Sequence, residues 1–163
     1  MNLNCPSLVV FAFLCASSVC SSPTAYAAPP REACSLLTQA QVSAALGVEV
    51  EAAQHVAPTL CQWSAPNQPN SINAKKVTLT LSNQRAWEYA KAPVGNNLTT
   101  MPASGICDDA VFTTIKRVTP GLGTTLYVKK GGSYLVVHVY GFPDRAKAMA
   151  MEKTLATQAC SKL

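Results

Sequence analysis

No lysine, arginine, aspartate or glutamate occurs before Arg31, although the 163-residue chain carries 13 basic and 8 acidic side chains. That absence separates two physically different segments. The early one holds the apolar run Leu8 to Leu14. Seven residues cannot cross a bilayer, because a membrane helix needs about 20 apolar residues. The run fits the hydrophobic region of a secretory signal peptide, and Ala25-Tyr26-Ala27 supplies the small-x-small cleavage pattern. The expectation is a signal peptide over 1–27 and a mature part over 28–163. A basic start is also missing, since Met1-Asn2-Leu3-Asn4 offers only the terminal amine. A lipid-modified cysteine needs a small residue before it. Leu14 precedes Cys15 and Val19 precedes Cys20, which disfavours lipidation.

Other absences narrow the chemistry. No two cysteines are spaced as Cys-x-x-Cys, so a zinc site or a thioredoxin-like redox pair is not expected. No Gly-x-Ser-x-Gly appears. Gly121-Leu122-Gly123 lacks the third glycine and the following helix of a phosphate-binding loop. There are two histidines, His55 and His138, and no repeats. Asp108-Asp109 is a poor cation site, because adjacent strand residues point to opposite faces; a turn or strand-edge role is expected. Met149 and Met151 read as helix packing, since methionine metal sites gather several thioethers. No metal or cofactor is expected.

The net charge of +5 falls wholly after Ala27 and is spread in pairs: Lys75-Lys76, Lys116-Arg117 and Lys129-Lys130. A nucleic-acid binder presents a continuous basic stripe on a recognisable module. Neither is present, so nucleic acid is not expected as a partner.

Seven cysteines are present, and Cys5, Cys15 and Cys20 lie in the expected signal peptide. The mature part keeps Cys34, Cys61, Cys107 and Cys160. An even number in an exported chain points to disulfides, and four cysteines permit three pairings.

Local signals divide the mature chain. Thr38 and Gln41 have capping-box spacing, Leu37 and Val42 have hydrophobic-staple spacing, and Gly47 suits a left-handed helix end. They predict a helix from about Gln39 to Leu46 with an apolar stripe of Val42, Ala45 and Leu46. Val48 to Val50 is a candidate strand start; Ala52 to Pro58 carries no clear signal. Leu60 to Ser64 reads as a strand and Ala65 to Asn73 as a loop. Val77, Leu79 and Leu81 alternate with Thr78 and Thr80, which predicts a half-buried strand over Lys76 to Ser82. A helix from Gln84 to Lys91 follows, with Ser82 or Asn83 as cap. Val94 to Ser104 reads as a loop, Ala110 to Ile115 as a strand, and Gly121 with Gly123 as a turn.

Thr124 to Lys130 and Ser133 to Tyr140 flank Gly131-Gly132, a two-residue hairpin connection that suits a type I′ turn. It fixes the pairs Lys130 with Ser133, Val128 with Leu135 and Leu126 with Val137. A final helix is expected from about Pro143 to Leu163, burying Ala148, Met151, Leu155, Ala159 and Leu163 with Cys160 at the edge of that face. Trp63 and Trp87 are assigned to the core. The fold class is α+β: an antiparallel sheet with N-terminal, middle and C-terminal helices packed on it.

The hairpin leaves Thr125, Tyr127, Tyr134, His138 and Tyr140 on the face away from Leu126, Val128, Leu135, Val137 and Val139. If the Lys76 to Ser82 strand shares the sheet, Thr78 and Thr80 join that face. Tyrosines give flat apolar area with a polar rim, suited to ligands and to protein interfaces. The competing account is that Tyr and Thr favour strands anyway and a helix covers the face.

Four ordered segments carry a resemblance. They are Cys34-Ser35-Leu36-Leu37-Thr38 with Val42-Ser43-Ala44-Ala45-Leu46-Gly47; Cys61-Gln62-Trp63; Gly105-Ile106-Cys107-Asp108-Asp109-Ala110; and Val128-Lys129-Lys130-Gly131. Through them the chain resembles a group of small bacterial exported proteins and lipoproteins catalogued as a domain of unknown function. That group is similar to PsbP-like α/β sandwiches, which implies helices on both sides of one antiparallel sheet. The resemblance implies a bond between Cys34 and Cys61. This chain departs from the pattern at Cys107, where the group has Gly, and at Cys160, where an apolar residue is common. Two departing cysteines imply a bond to each other. No catalytic residues carry over.

The expected function is a non-catalytic periplasmic or secreted binding module, monomeric by default. Its partner is a small amphipathic molecule or an envelope protein, bound by Thr78, Thr80, Thr125, Tyr127, Tyr134, His138 and Tyr140. The alternative is a protein-protein inhibitor or envelope assembly factor acting through the loops at 65–73 and 94–104. A hydrolase is third.

Overall fold

The computed structural model describes residues 32–67, 74–92, 98–115 and 124–163. The expected signal peptide, the Lys116-Arg117 pair and the Gly121/Gly123 turn lie outside those residues, as do most of the loop expected at 65–73 and the start of the one at 94–104.

A 3-10 turn at Ala33–Ser35 leads into α1, Gln39–Leu46. The capping box is present. The Gln41 N–H donates to Thr38 Oγ1 at 3.2 Å, and the Thr38 N–H donates to Gln41 Oε1 at 2.8 Å. Gly47 ends α1 at φ +65, with its N–H donating to the Ser43 carbonyl. The expected bounds agree to within a residue for five further strands and one helix; they and the rest are β1 (Gln54–Ala57), β2 (Leu60–Ser64), β3 (Lys76–Ser82), α2 (Gln84–Lys91), β4 (Leu98–Pro102), β5 (Asp109–Ile115), β6 (Thr124–Lys130), β7 (Ser133–Tyr140) and α3 (Arg145–Cys160).

The seven strands among the described residues form one antiparallel sheet in the order β1-β2-β3-β7-β6-β5-β4. The hairpin register is the expected one: Lys130 with Ser133, Val128 with Leu135, Leu126 with Val137. One sheet face carries Trp63, Val77, Leu79, Phe112, Leu126, Val128, Leu135 and Val137, all buried. They pack in one cluster with Val42 and Leu46 of α1 and Met151, Leu155 and Ala159 of α3. Burying each large side chain stabilises by about 1.5–3 kcal/mol. The opposite face receives α2, whose Trp87 and Ala90 pack on Val111 with Tyr127 and Tyr134.

Two disulfides form. Cys34–Cys61 ties the 3-10 turn to β2, with Cα atoms 5.0 Å apart. Cys107–Cys160 ties the β4–β5 turn to the end of α3, with Cα atoms 6.0 Å apart. In the chain-entropy account, loops of 27 and 53 residues contribute about 3.5 and 4 kcal/mol.

Several expectations are corrected. Val48 to Val50 is not a strand; Val50 is buried as a core residue, and the strand lies instead at Gln54–Ala57. Leu98–Pro102, read as loop, is the edge strand β4. Both missed strands are short sheet edges with little buried side-chain area, so neither shows apolar alternation. The final helix runs only from Arg145 to Cys160, because Asp144 caps it by accepting the Lys147 N–H at 3.1 Å. In the hairpin turn only Gly131 has positive φ (+56), which is the type II′ pattern. Trp87 is buried, but in the second cluster and not with Trp63.

Candidate functional site

The sheet register builds a polar row across the α2 face. Thr100 of β4 pairs with Thr113 of β5, Thr113 with Thr125 of β6, and Thr78 of β3 with His138 of β7. Thr125 and His138 meet across β6 and β7, with Oγ1 3.4 Å from Nδ1. The alternation that buries Val77, Phe112, Leu126 and Val137 on one side therefore presents Thr78, Thr113, Thr125 and His138 on the other, with Thr100 of β4 at the end of the row.

Over the β4–β7 end of that row, beside α2, lies a cavity of about 410 Å³. Thr100, Thr113, Thr125 and His138 contribute to its floor. Leu98 and Ile115, a cross-strand pair one step along, line one side, and Tyr127 lines another. Tyr89 and Ala90 of α2, with Ala92 just past its end, form the helix wall. The volume lies in the range of small-molecule pockets, and the lining is mostly apolar with a few placed polar groups, as such pockets are.

α2 is held in place by specific contacts. Asn83 caps it by accepting the Ala86 N–H at 3.0 Å. Trp87 faces Tyr134 with ring centroids 6.4 Å apart. Lys91 pairs with Asp109 of β5 at 2.9 Å and lies 5.3 Å from the Trp87 ring centroid. The Thr100 hydroxyl donates to the Ala90 carbonyl at 3.3 Å, joining the helix to the cavity floor.

The electrostatics of the lining are neutral. Burial pushes the His138 imidazole down to about 4, and the positive charge of Lys76 adds to the effect. His138 stacks on Tyr140 at 3.7 Å, and Lys76 Nζ lies 4.7 Å from the Tyr140 centroid. Its Nε2 is buried without a partner among the described residues. Burial, with Tyr89 as a second cause, raises the Tyr127 phenol above its ordinary value. At neutral pH both rings are uncharged, and among the described residues no Lys, Arg, Asp or Glu lines the cavity. The lining offers hydrogen bonds and apolar contact, with one imidazole and no carboxylate to orient it.

All seven residues expected to form a binding face do share the α2 side of the sheet. Thr125, Tyr127 and His138 line the cavity. Thr78 is the cross-strand neighbour of His138, and Thr80 pairs with Val136 one row away; neither lines the cavity. Tyr134 packs on Trp87, and Tyr140 stacks on His138. The helix proposed as the competing cover for this face is present as α2, and it covers part of it.

The residues missed from sequence come from α2 and its C-cap (Tyr89, Ala90, Ala92), β4 (Leu98, Thr100) and β5 (Thr113, Ile115). Thr113 and Ile115 had a usable signal, since they alternate with the buried Phe112 and Thr114. Asp108 and Asp109 take separate structural roles. Asp108 accepts the Gly131 N–H of the hairpin turn, and Asp109 pairs with Lys91.

Among the described residues no group of three or more His, Cys, Asp or Glu is placed to hold a metal ion, and no helix is long and apolar enough to cross a membrane. The chain matches no family model, no curated protein and no solved structure.

Proposed function

We propose that this protein is a non-catalytic, exported binding module with a PsbP-like αβα-sandwich fold. It holds a small amphipathic molecule in the cavity between α2 and the sheet. The cavity itself carries the reading: about 410 Å³, walled by uncharged side chains, with hydroxyls gathered in one row of its floor. A lining of this kind recognises a ligand by shape, apolar area and a few hydrogen bonds. Helices on both sheet faces support the sandwich. The periplasmic or secreted location is supported by the two disulfides, which persist in oxidising compartments, and by the signal-like segment 1–27.

Native mass spectrometry tests the reading on protein purified from the periplasm of an expressing cell, against the same sample denatured without reduction. A discrete extra mass, present in the native spectrum and lost on denaturation, is expected. Thr113→Phe places a ring in the cavity from a half-buried strand position and should abolish that mass without unfolding the protein. A bare native mass, together with no binding of small apolar probes, defeats the carrier reading.

A further inference from the structure

The cavity lining also restricts what the ligand is, an inference that rests on the binding reading above. Charge comes first. The lining residues are Tyr, Ala, Leu, Ile, Thr and His, with no ionised side chain among them. Among the described residues, two lysines on this side of the sheet are engaged elsewhere: Lys76 lies over Tyr140, and Lys91 pairs with Asp109. A carboxylate or ammonium entering this space leaves water and meets no countercharge among the described lining residues, which is strongly unfavourable. An uncharged molecule avoids that penalty.

The polar row then singles out one atom. Thr100 Oγ1 donates to the Ala90 carbonyl, and Thr125 Oγ1 is joined to His138 Nδ1. Both outer hydroxyls are already engaged inside the protein. Thr113 lies between them in the row, paired with Thr100 on one side and Thr125 on the other. It is half-buried and lines the cavity, and its hydroxyl has no bond to another described residue. Around it the surface is apolar: Leu98, Ile115 and Ala90.

We infer that the ligand is an uncharged, largely apolar molecule carrying one hydroxyl or carbonyl group, and that this group hydrogen-bonds the Thr113 hydroxyl on the cavity floor. A hydroxyl both donates and accepts, so either ligand group suits it. Thr113 is a specificity-determining residue in this account, and the apolar walls supply most of the affinity.

Three probes of one shape test it: 2-naphthalenemethanol, 2-ethylnaphthalene and 2-naphthoate, each titrated by its own fluorescence anisotropy at pH 7. The variant is Thr113→Val, which removes the hydroxyl, keeps the volume and favours the strand. The expected result is a selective one. The substitution weakens the alcohol by about fivefold, the worth of one net hydrogen bond, and leaves the ethyl compound within about twofold. The anion binds the wild-type protein about tenfold or more weaker than the alcohol, an arm that needs no variant. If naphthoate binds as tightly as the alcohol, or if Thr113→Val moves both neutral probes alike, the inference is overturned and the cavity reading stands. If none of the three binds folded wild-type protein, the reading beneath it fails as well.

Discussion

Two adjacent aspartates show how far the position of a single residue decides its worth. Asp108 and Asp109 are both exposed. Asp108 Oδ2 accepts the Gly131 N–H at 2.6 Å, and its own N–H donates to the Lys129 carbonyl, so it braces the β6–β7 turn. The turn before it is tight: Gly105 lies at φ +78, and Cys107 at φ +47, a region that favours glycine. Cys107 is held there with its sulfur bonded to Cys160. Asp109 makes one solvent-exposed ion pair with Lys91, of a kind that contributes little. Asp108→Ala should therefore destabilise by about 1 kcal/mol in urea unfolding, and Asp109→Ala by less than about 0.5 kcal/mol. Equal losses would show that the Gly131 bond does not brace the turn.

At the scale of elements, α2 is the piece on which the cavity depends. Eight residues do not make a stable helix alone. Its hold on the sheet comes mainly from Trp87 and Ala90 against Val111, Tyr127 and Tyr134. Removing a buried tryptophan costs about 3 kcal/mol or more, so Trp87→Ala should release α2 without unfolding the main core, which lies on the other face. In hydrogen exchange, amides of Ala86 to Lys91 should lose protection while those of β3, β6 and β7 keep theirs, and naphthalene probes should no longer bind. Unchanged protection of α2 would mean that other contacts dock it. The same elements show what the sequence made legible. The bounds of α1, β3, α2 and the hairpin followed from signals a few residues long: the Thr38/Gln41 box, the Val77-Leu79-Leu81 alternation, and Gly131-Gly132. β1 and β4 have no such signal, since an edge strand needs only a neighbour's backbone to form. Thr125, Tyr127 and His138 were placed on one face by alternation alone. Thr100 and Thr113 join them only because β5 follows β6 and β4 follows β5 in the sheet order, and that order is set by long-range packing. Which part of the face α2 would cover was equally illegible. Its choice takes Tyr134 into the docking contact and leaves Thr78 and Thr80 beyond the cavity.

Burial shifts Glu152 on the core face and His138 on the other, and together these two groups shape how the whole molecule responds to pH between 4 and 8. On the core face Glu152 of α3 is fully buried. It accepts the Val139 N–H at 3.1 Å, while its Oε2 and the nearby Thr124 hydroxyl have no partner among the described residues. Burial pushes its carboxyl up to about 8 from an ordinary 4.5, against a smaller opposing effect of the Val139 N–H. On the other face, burial and then Lys76 hold His138 down at about 4, from 6.5. The folded protein thus keeps Glu152 protonated and His138 unprotonated between pH 4.5 and 6.5, whereas the unfolded chain has lost the Glu proton and kept the His proton. Both states bind one proton between these two groups, so their contribution to stability is level there. Above pH 6.5 only the Glu152 difference remains. The raised group's stabilisation is lost as pH climbs through its folded value, and stability falls by about 2 kcal/mol by pH 8. Below pH 4.5 only His138 differs, and its stabilisation is lost as pH falls through 4. Urea midpoints across pH 4 to 8 should trace a plateau with both shoulders. Glu152→Gln should remove the alkaline fall and turn the plateau into a rise from pH 4 to 6.5. His138→Phe should do the reverse, giving a continuous fall from pH 4.5 to 8. A wild-type profile flat from pH 6.5 to 8 would show that Glu152 ionises as freely in the folded protein as in the unfolded chain, and hence that the α3 carboxyl is not shut between helix and sheet.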